Sequence, residues 1–224
     1  MAKKARRIQY IKRVLYSIRS SGVSKWLFVG QFVGETFYHV PARTYDIDIC
    51  IFLDPEEKNM ERFFKILVKV LKIRRGDVGP WDKFMEKIRS GQVLVIEPQA
   101  AINFHIDIIP ITPKDENYAI FREAYENRIE VLLGKNMIYI PSREYWICLK
   151  LVGFREKDKY HLTEMLRNYN ILGLRIDIGA LYLILERYPV LKNRWMNLLQ
   201  IVEKEYNLYV DKDGYVRLRH RRTK

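Results

Sequence analysis

Three acidic residues stand where a charge is costly. In Thr44-Tyr-Asp-Ile-Asp-Ile-Cys-Ile-Phe, Asp46 and Asp48 are separated by one residue inside an apolar, β-branched run. A strand repeats its side-chain direction every two residues, so both carboxylates project from one face, while Tyr45, Ile47, Ile49 and Ile51 fill the other. Two carboxylates a few ångströms apart repel, and one takes up a proton unless a cation intervenes. A divalent ion, Mg²⁺ or Mn²⁺, removes the conflict, because such ions take carboxylate oxygens together with substrate phosphates. The third acid, Asp107, lies in Asn103-Phe-His-Ile-Asp-Ile-Ile-Pro. There Asn103, His105 and Asp107 share one face and Ile102, Phe104, Ile106 and Ile108 the other. A fold that lays this stretch beside the first gathers three carboxylates, enough to hold two metal ions about 3.5–4 Å apart. Taken singly, an Asp-x-Asp on an edge strand is ordinary. The combination gains weight from the glycine turn that precedes it, Leu27-Phe-Val-Gly30-Gln31-Phe-Val-Gly34. A strand entering such a turn and then a helix offers backbone N–H groups and a helix dipole to an anion.

Cations are concentrated at the two ends of the 224-residue chain, whose net charge is +13. Residues 1–19 hold seven Lys and Arg and no acid, and residues 212–224 hold six and one acid, leaving the body between them almost neutral. Clustered cations gain affinity for phosphate backbones by releasing counterions, so residues 3–19 and 212–224 are expected to contact RNA. Tyr10 and Tyr215 lie in these segments and are candidates for stacking on bases.

Other chemistries find little footing. The chain has no Gly-x-x-x-x-Gly-Lys-Ser/Thr phosphate loop and no dinucleotide fingerprint. Its four histidines, at 39, 105, 161 and 220, lack paired zinc spacing. Cys50 and Cys148 are too few for a disulfide framework. No apolar run reaches the roughly 18 residues of a membrane span, and no signal-type segment opens the chain, so the expectation is cytoplasmic, with no membrane partner.

The elements that must position these residues follow from periodicity. Helical spacing predicts helices over 4–19, from Asp54 as N-cap to about 75, over 118–133 with Gly134 as cap, and beyond Pro141 to about 206, with breaks near Gly173 and Pro189. Strands are predicted over 25–29, 44–53, 93–97 and 101–111, a short extended piece over 137–140, and a short helix over 81–88. Alternation around Asp213-Gly214 predicts a terminal hairpin. The fold class is therefore α+β: a mixed β-sheet core flanked by helices, then a helical C-terminal part and a terminal hairpin. The expected division is 1–136, 137–207 and 208–224.

With these motifs in place, the chain resembles the DNA polymerase beta-type nucleotidyltransferase superfamily. The residues that carry the resemblance are Val29-Gly30-Gln31, Arg43-Thr-Tyr-Asp46-Ile-Asp48-Ile and His105-Ile-Asp107-Ile, over roughly residues 25–112. Within it the chain is most similar to AbiEii-type nucleotidyltransferases of toxin and abortive-infection systems. Arg43 just before Asp-x-Asp, and Lys150 followed by Arg155-Glu-Lys-Asp158, carry that narrower likeness, with Gln31, His161 and Glu164 as departures from it. The resemblance implies a sheet core of nucleotidyltransferase type and transfer of a nucleoside monophosphate from an NTP to a hydroxyl acceptor, with RNA, including tRNA, first among acceptors. It implies catalysis and metal binding by Asp46, Asp48 and Asp107, with Mg²⁺ or Mn²⁺ as cofactor. It further implies nucleotide binding by Gly30, Gln31, Arg43 and Lys150, and an antitoxin-like protein as a partner. The alternative is a catalytically impaired relative that binds nucleic acid or a partner protein, which Gln31 in place of a small residue favours.

Overall fold

The computed structural model describes residues 2–41, 44, 46–53, 57–71, 81–96 and 105–219, with the side chains of the first helix described from Ile8 onward. Arg43 and the Asp54-Pro55-Glu56 helix start lie outside the described residues. The chain forms two compact units, Met1–Val29 with Tyr45–Ile140, and Gly30–Thr44 with Pro141–Lys224.

In the first unit, α1 (Ala2–Ser21) carries Ile11, Val14, Leu15 and Ile18 at helical spacing, each at most 1% exposed. This stripe packs against the helix α3 (Glu57–Leu71), whose Phe63, Phe64 and Leu67 are fully buried. Each such side chain contributes about 1.5–3 kcal/mol by leaving water. The sheet has the order β1-β2-β4-β3, with β1 (Trp26–Val29), β2 (Asp46–Phe52), β3 (Leu94–Ile96) and β4 (His105–Ile111). β1 and β3 run antiparallel to their neighbours, and β2 and β4 run parallel. One face is wholly apolar: Ile47, Ile49 and Ile51 of β2 lie beside Ile106, Ile108 and Pro110 of β4. The other face changes character along its length, from Cys50 and Phe52 to Asp48 and Asp46. A short helix, α4 (Trp81–Arg89), precedes β3.

The helix expected over 118–133 is shorter. α5 (Tyr118–Glu126) stops at Asn127, and β5 (Ile129–Leu133) and β6 (Asn136–Ile140) follow as an antiparallel hairpin. Gly134, at φ +64°, is not a helix cap; it is the first residue of the two-residue turn between Leu133 and Asn136. Tight hairpin turns need that positive φ, which glycine adopts without a Cβ penalty. The hairpin is held to β1 by Tyr139, whose ring lies 4.8 Å from that of Trp26.

The second unit is helical. It comprises α2 (Gly30–Phe37), α6 (Arg143–Gly153), α7 (Glu156–Leu172), α8 (Ile178–Arg187) and α9 (Pro189–Tyr206), then the hairpin β7 (Leu208–Val210) and β8 (Val216–Leu218). Trp146, Leu151, Leu166, Tyr169, Leu185 and Trp195 form its core, each at most 1% exposed. α2 docks on α6 where Gly34 meets the Trp146 indole; a Cβ at Gly34 would stand 2.5 Å from Cζ2. The same indole donates from Nε1 to the Gly30 carbonyl at 2.8 Å. α6 starts at Ser142, whose Oγ accepts from the Tyr145 N–H. It ends at Phe154, a non-glycine residue held at φ +44°. The architecture is α+β, with nine helices and a terminal hairpin among the described residues. No helix among them is long and apolar enough to cross a membrane.

Candidate functional site

The parallel pairing of β2 with β4 sets Asp46 opposite His105 and Asp48 opposite Asp107. Neighbouring strands lie about 4.8 Å apart, and residues in register share a face, so the acids form one row on the sheet. His105 stands among them: its Nε2 lies 2.9 Å from Asp46 Oδ1 and 3.8 Å from Asp107 Oδ1. The side chains of Asp46, His105 and Asp107 are 32%, 33% and 21% exposed, so a solute can reach them. Farther along the same face the row closes on Cys50. Burial, and next the Asp48 charge, push its thiol well above its ordinary pKa, so it stays protonated and inert.

The donor set suits a hard divalent cation in kind, since three carboxylates face one way. In the arrangement seen, no three His, Cys, Asp or Glu side chains among the described residues converge on one point. Asp46 is engaged with His105 instead.

The expected nucleotide-binding residues belong to the second unit. Gly30, at φ +70°, opens α2, and Gln31 is 3% exposed. Lys150, 8% exposed, lies inside the helical unit rather than on its surface. Its Nζ donates to Asp158 Oδ1 at 3.2 Å and lies 3.4 Å from His161 Nδ1. Asp158, 2% exposed, also accepts from Arg155 Nε at 2.9 Å and from the Arg155 N–H at 3.3 Å, which closes the first turn of α7. Burial raises the Asp158 pKa, but the Lys150 charge and the Arg155 hydrogen bond outweigh it, and the net shift is downward. Arg155 and Asp158 were visible in the sequence as a segment; the pairing of Asp158 with Lys150 across the α6–α7 corner was not.

Burial, then the Lys150 charge, lowers the His161 pKa from 6.5 to about 4. The imidazole is neutral, and Nδ1 accepts from the Lys150 ammonium when the ring proton is on Nε2. Between pH 6.5 and about 4 the unfolded chain binds a proton at this position and the folded chain does not, so stability falls with pH through that window. From pH 7 to pH 5 the expected loss at His161 is about 2 kcal/mol. Urea midpoints measured across this range should show it in the wild type and not in His161→Gln; equal slopes in the two proteins would remove His161 as the cause.

The basic ends differ from expectation in one respect. Tyr10 is 7% exposed, because it continues the buried stripe of α1 one turn before Val14, and so it is closed to bases. Tyr215 is half-buried and covered by the Arg217 guanidinium at 4.8 Å. Arg217 and Arg219 are paired with Asp211 and Glu203 at 3.0 and 2.5 Å. On α1, Lys12 and Arg19 are exposed. The side chains of Lys3, Lys4, Arg6 and Arg7, and residues 220–224, lie outside the described residues.

No family model matches the chain, and neither any curated protein nor any solved structure matches it.

Proposed function

We propose that the acid row on β2 and β4 is the metal-binding centre of a nucleotidyltransferase, which transfers a nucleoside monophosphate from an NTP to a hydroxyl acceptor, with RNA the acceptor the charge distribution favours. The observation that carries this reading is the register: Asp48 lies directly opposite Asp107, with Asp46 on the same face. Like charges directly opposite on paired strands are destabilising, a cost that a bound divalent cation would relieve. A bound Mg²⁺ or Mn²⁺ would supply charge neutralisation for the phosphates and the entering hydroxyl. Asp46, Asp48 and Asp107 would hold it, Asp46 giving up its contact with His105. Asp107 would accept the proton of the acceptor hydroxyl. His105, once released, remains within reach of both Asp46 and Asp107 and would orient them. Gly30, Gln31 and Arg43 enter this reading through the sequence resemblance. Lys150 enters it as the partner of Asp158, a residue that fixes the α6–α7 corner.

The test is direct. The full chain is incubated with Mg²⁺ or Mn²⁺, labelled NTPs and total RNA, and NTP binding is followed by calorimetry. Label appearing on RNA supports the reading; absence of NTP binding in the presence of either metal overturns it. A second reading, a catalytically inactive relative that binds nucleic acid, is favoured by the 2.9 Å contact that engages Asp46 with an imidazole. It predicts RNA binding without NTP binding in the same experiment.

A further inference from the structure

We infer that the groove between the end of α6 and the outer face of α9 binds single-stranded RNA, seating one nucleotide at Phe154, Lys159, Asn197, Gln200, Ile201 and Lys204. The groove has a volume of about 430 Å³ and is lined by these six residues. That is within the range of sites that take small ligands. It lies wholly in the helical unit.

Its construction begins with Phe154. The left-handed backbone at this residue turns the chain out of α6, and its N–H caps the helix on the Lys150 carbonyl at 2.9 Å. The Phe154 ring is flanked by Lys159 Nζ at 5.0 Å and the Arg194 guanidinium at 5.6 Å from its centroid. Arg194 is fixed in turn by donating to the Leu151 and Val152 carbonyls, each at 2.8 Å. From Arg194, α9 presents Asn197, Ile201 and Lys204 at intervals of three, four and three residues, which is one face of a helix, with Gln200 beside them.

None of the six lining residues is acidic, and the Lys159 ammonium is paired with Glu156 Oε1 at 2.6 Å. The lining brings together apolar surface from Phe154 and Ile201, donor and acceptor groups from the Asn197 and Gln200 amides, and the ammonium of Lys204, beside a Lys159 ammonium shared with Glu156. A nucleotide offers the complement to each: a flat base, polar base edges, and a phosphate. Single-stranded RNA exposes all three at once, whereas duplex RNA keeps its base faces stacked and its Watson–Crick edges paired. An acidic peptide would satisfy Lys204 and leave the amides and apolar floor unused. The groove is open rather than enclosed, so a polymer can pass through it. This assignment shares with the proposed function the choice of RNA, but it requires no catalysis.

The experiment is fluorescence anisotropy with the full chain and an end-labelled eight-nucleotide single-stranded RNA over a salt series. Lys204→Glu is expected to weaken binding roughly tenfold, and Lys204→Ala to reduce the salt slope by about one phosphate contact. Asn197→Ala with Gln200→Ala is expected to weaken binding several-fold with the salt slope unchanged. Lys135→Glu, in the β5–β6 turn of the other unit, is the control for general charge and is expected to bind as wild type. Circular dichroism melting verifies that each variant is folded. The inference is overturned if Lys204→Glu and Lys135→Glu behave alike. It is also overturned if free AMP competes as well as the oligomer, if a glutamate-rich peptide binds with the same Lys204 dependence, or if no RNA binding is measurable at low salt. RNA binding that depends on Lys204 without label transfer keeps the groove and rejects the transferase; label transfer with RNA affinity indifferent to Lys204 does the reverse.

Discussion

Asp48→Asn is expected to lower label transfer roughly 10²–10³-fold, the size of effect seen when one preorganised electrostatic stabiliser is removed, while leaving the metal-free protein as stable as wild type or slightly more so. The two halves of this expectation come from one piece of geometry. Asp48 and Asp107 are register partners on parallel strands, so their charges confront one another across a single strand spacing. Removing one charge relieves a repulsion of about 0.2–1 kcal/mol. Asparagine keeps the shape and an acceptor oxygen, so the sheet face it shares with Cys50 is undisturbed. A residue that served folding would give the opposite pairing: lower stability, with any loss of activity following from unfolding. The measurements are label transfer at saturating Mn²⁺, and urea unfolding in the presence of a chelator. A variant that loses stability and keeps activity would remove the acid row from the chemistry.

How much of this was legible beforehand depends on the range of the interaction. β2 and β4 could be read because isoleucines at alternate positions bracket the acids, and a period of two is a local property. The register that puts Asp48 beside Asp107 could not, since nothing in either stretch specifies which residue of the other it meets; the sheet order and turn lengths decide that. Of the β5–β6 hairpin, β6 matches the extended piece expected over 137–140, but β5 was not legible, because Ile129, Val131, Leu132 and Leu133 follow directly on an amphipathic helix, and Gly134 serves equally as a helix cap or a hairpin turn. Tyr10 could have been placed correctly: it precedes Val14 and Ile18 by four and eight residues, on the stripe that α1 buries. Phe154 could not, because a left-handed phenylalanine has no local sequence signature, and the expected breaks lay only near Gly173 and Pro189. Lys150 shows the same limit. Its spacing from Trp146 places both on one helix face, yet its buried partner Asp158 is supplied by the following helix.

Lys150→Met is expected to cost about 3–5 kcal/mol, because it deletes the cation from a buried pair and strands a carboxylate 2% exposed. Arg155 stays within 2.9 Å of Asp158 Oδ2, which places the expected value toward the lower end. Methionine matches the length and apolar stem of lysine, so the loss reports charge rather than volume. The double variant Lys150→Met with Asp158→Asn should be more stable than the sum of the single effects by at least about 1 kcal/mol, since neither member then leaves an uncompensated charge inside. Additive losses in urea unfolding at pH 7 would show that the two groups are not coupled. The same substitution makes a second expectation at His161. The Lys150 charge is one of the causes that hold the His161 pKa near 4, so its removal lets that value rise toward 6.5. The acid sensitivity between pH 7 and pH 5 then shrinks in Lys150→Met. A structural loss with no electrostatic origin would lower the whole stability curve and leave its slope against pH unchanged, so the slope separates the two.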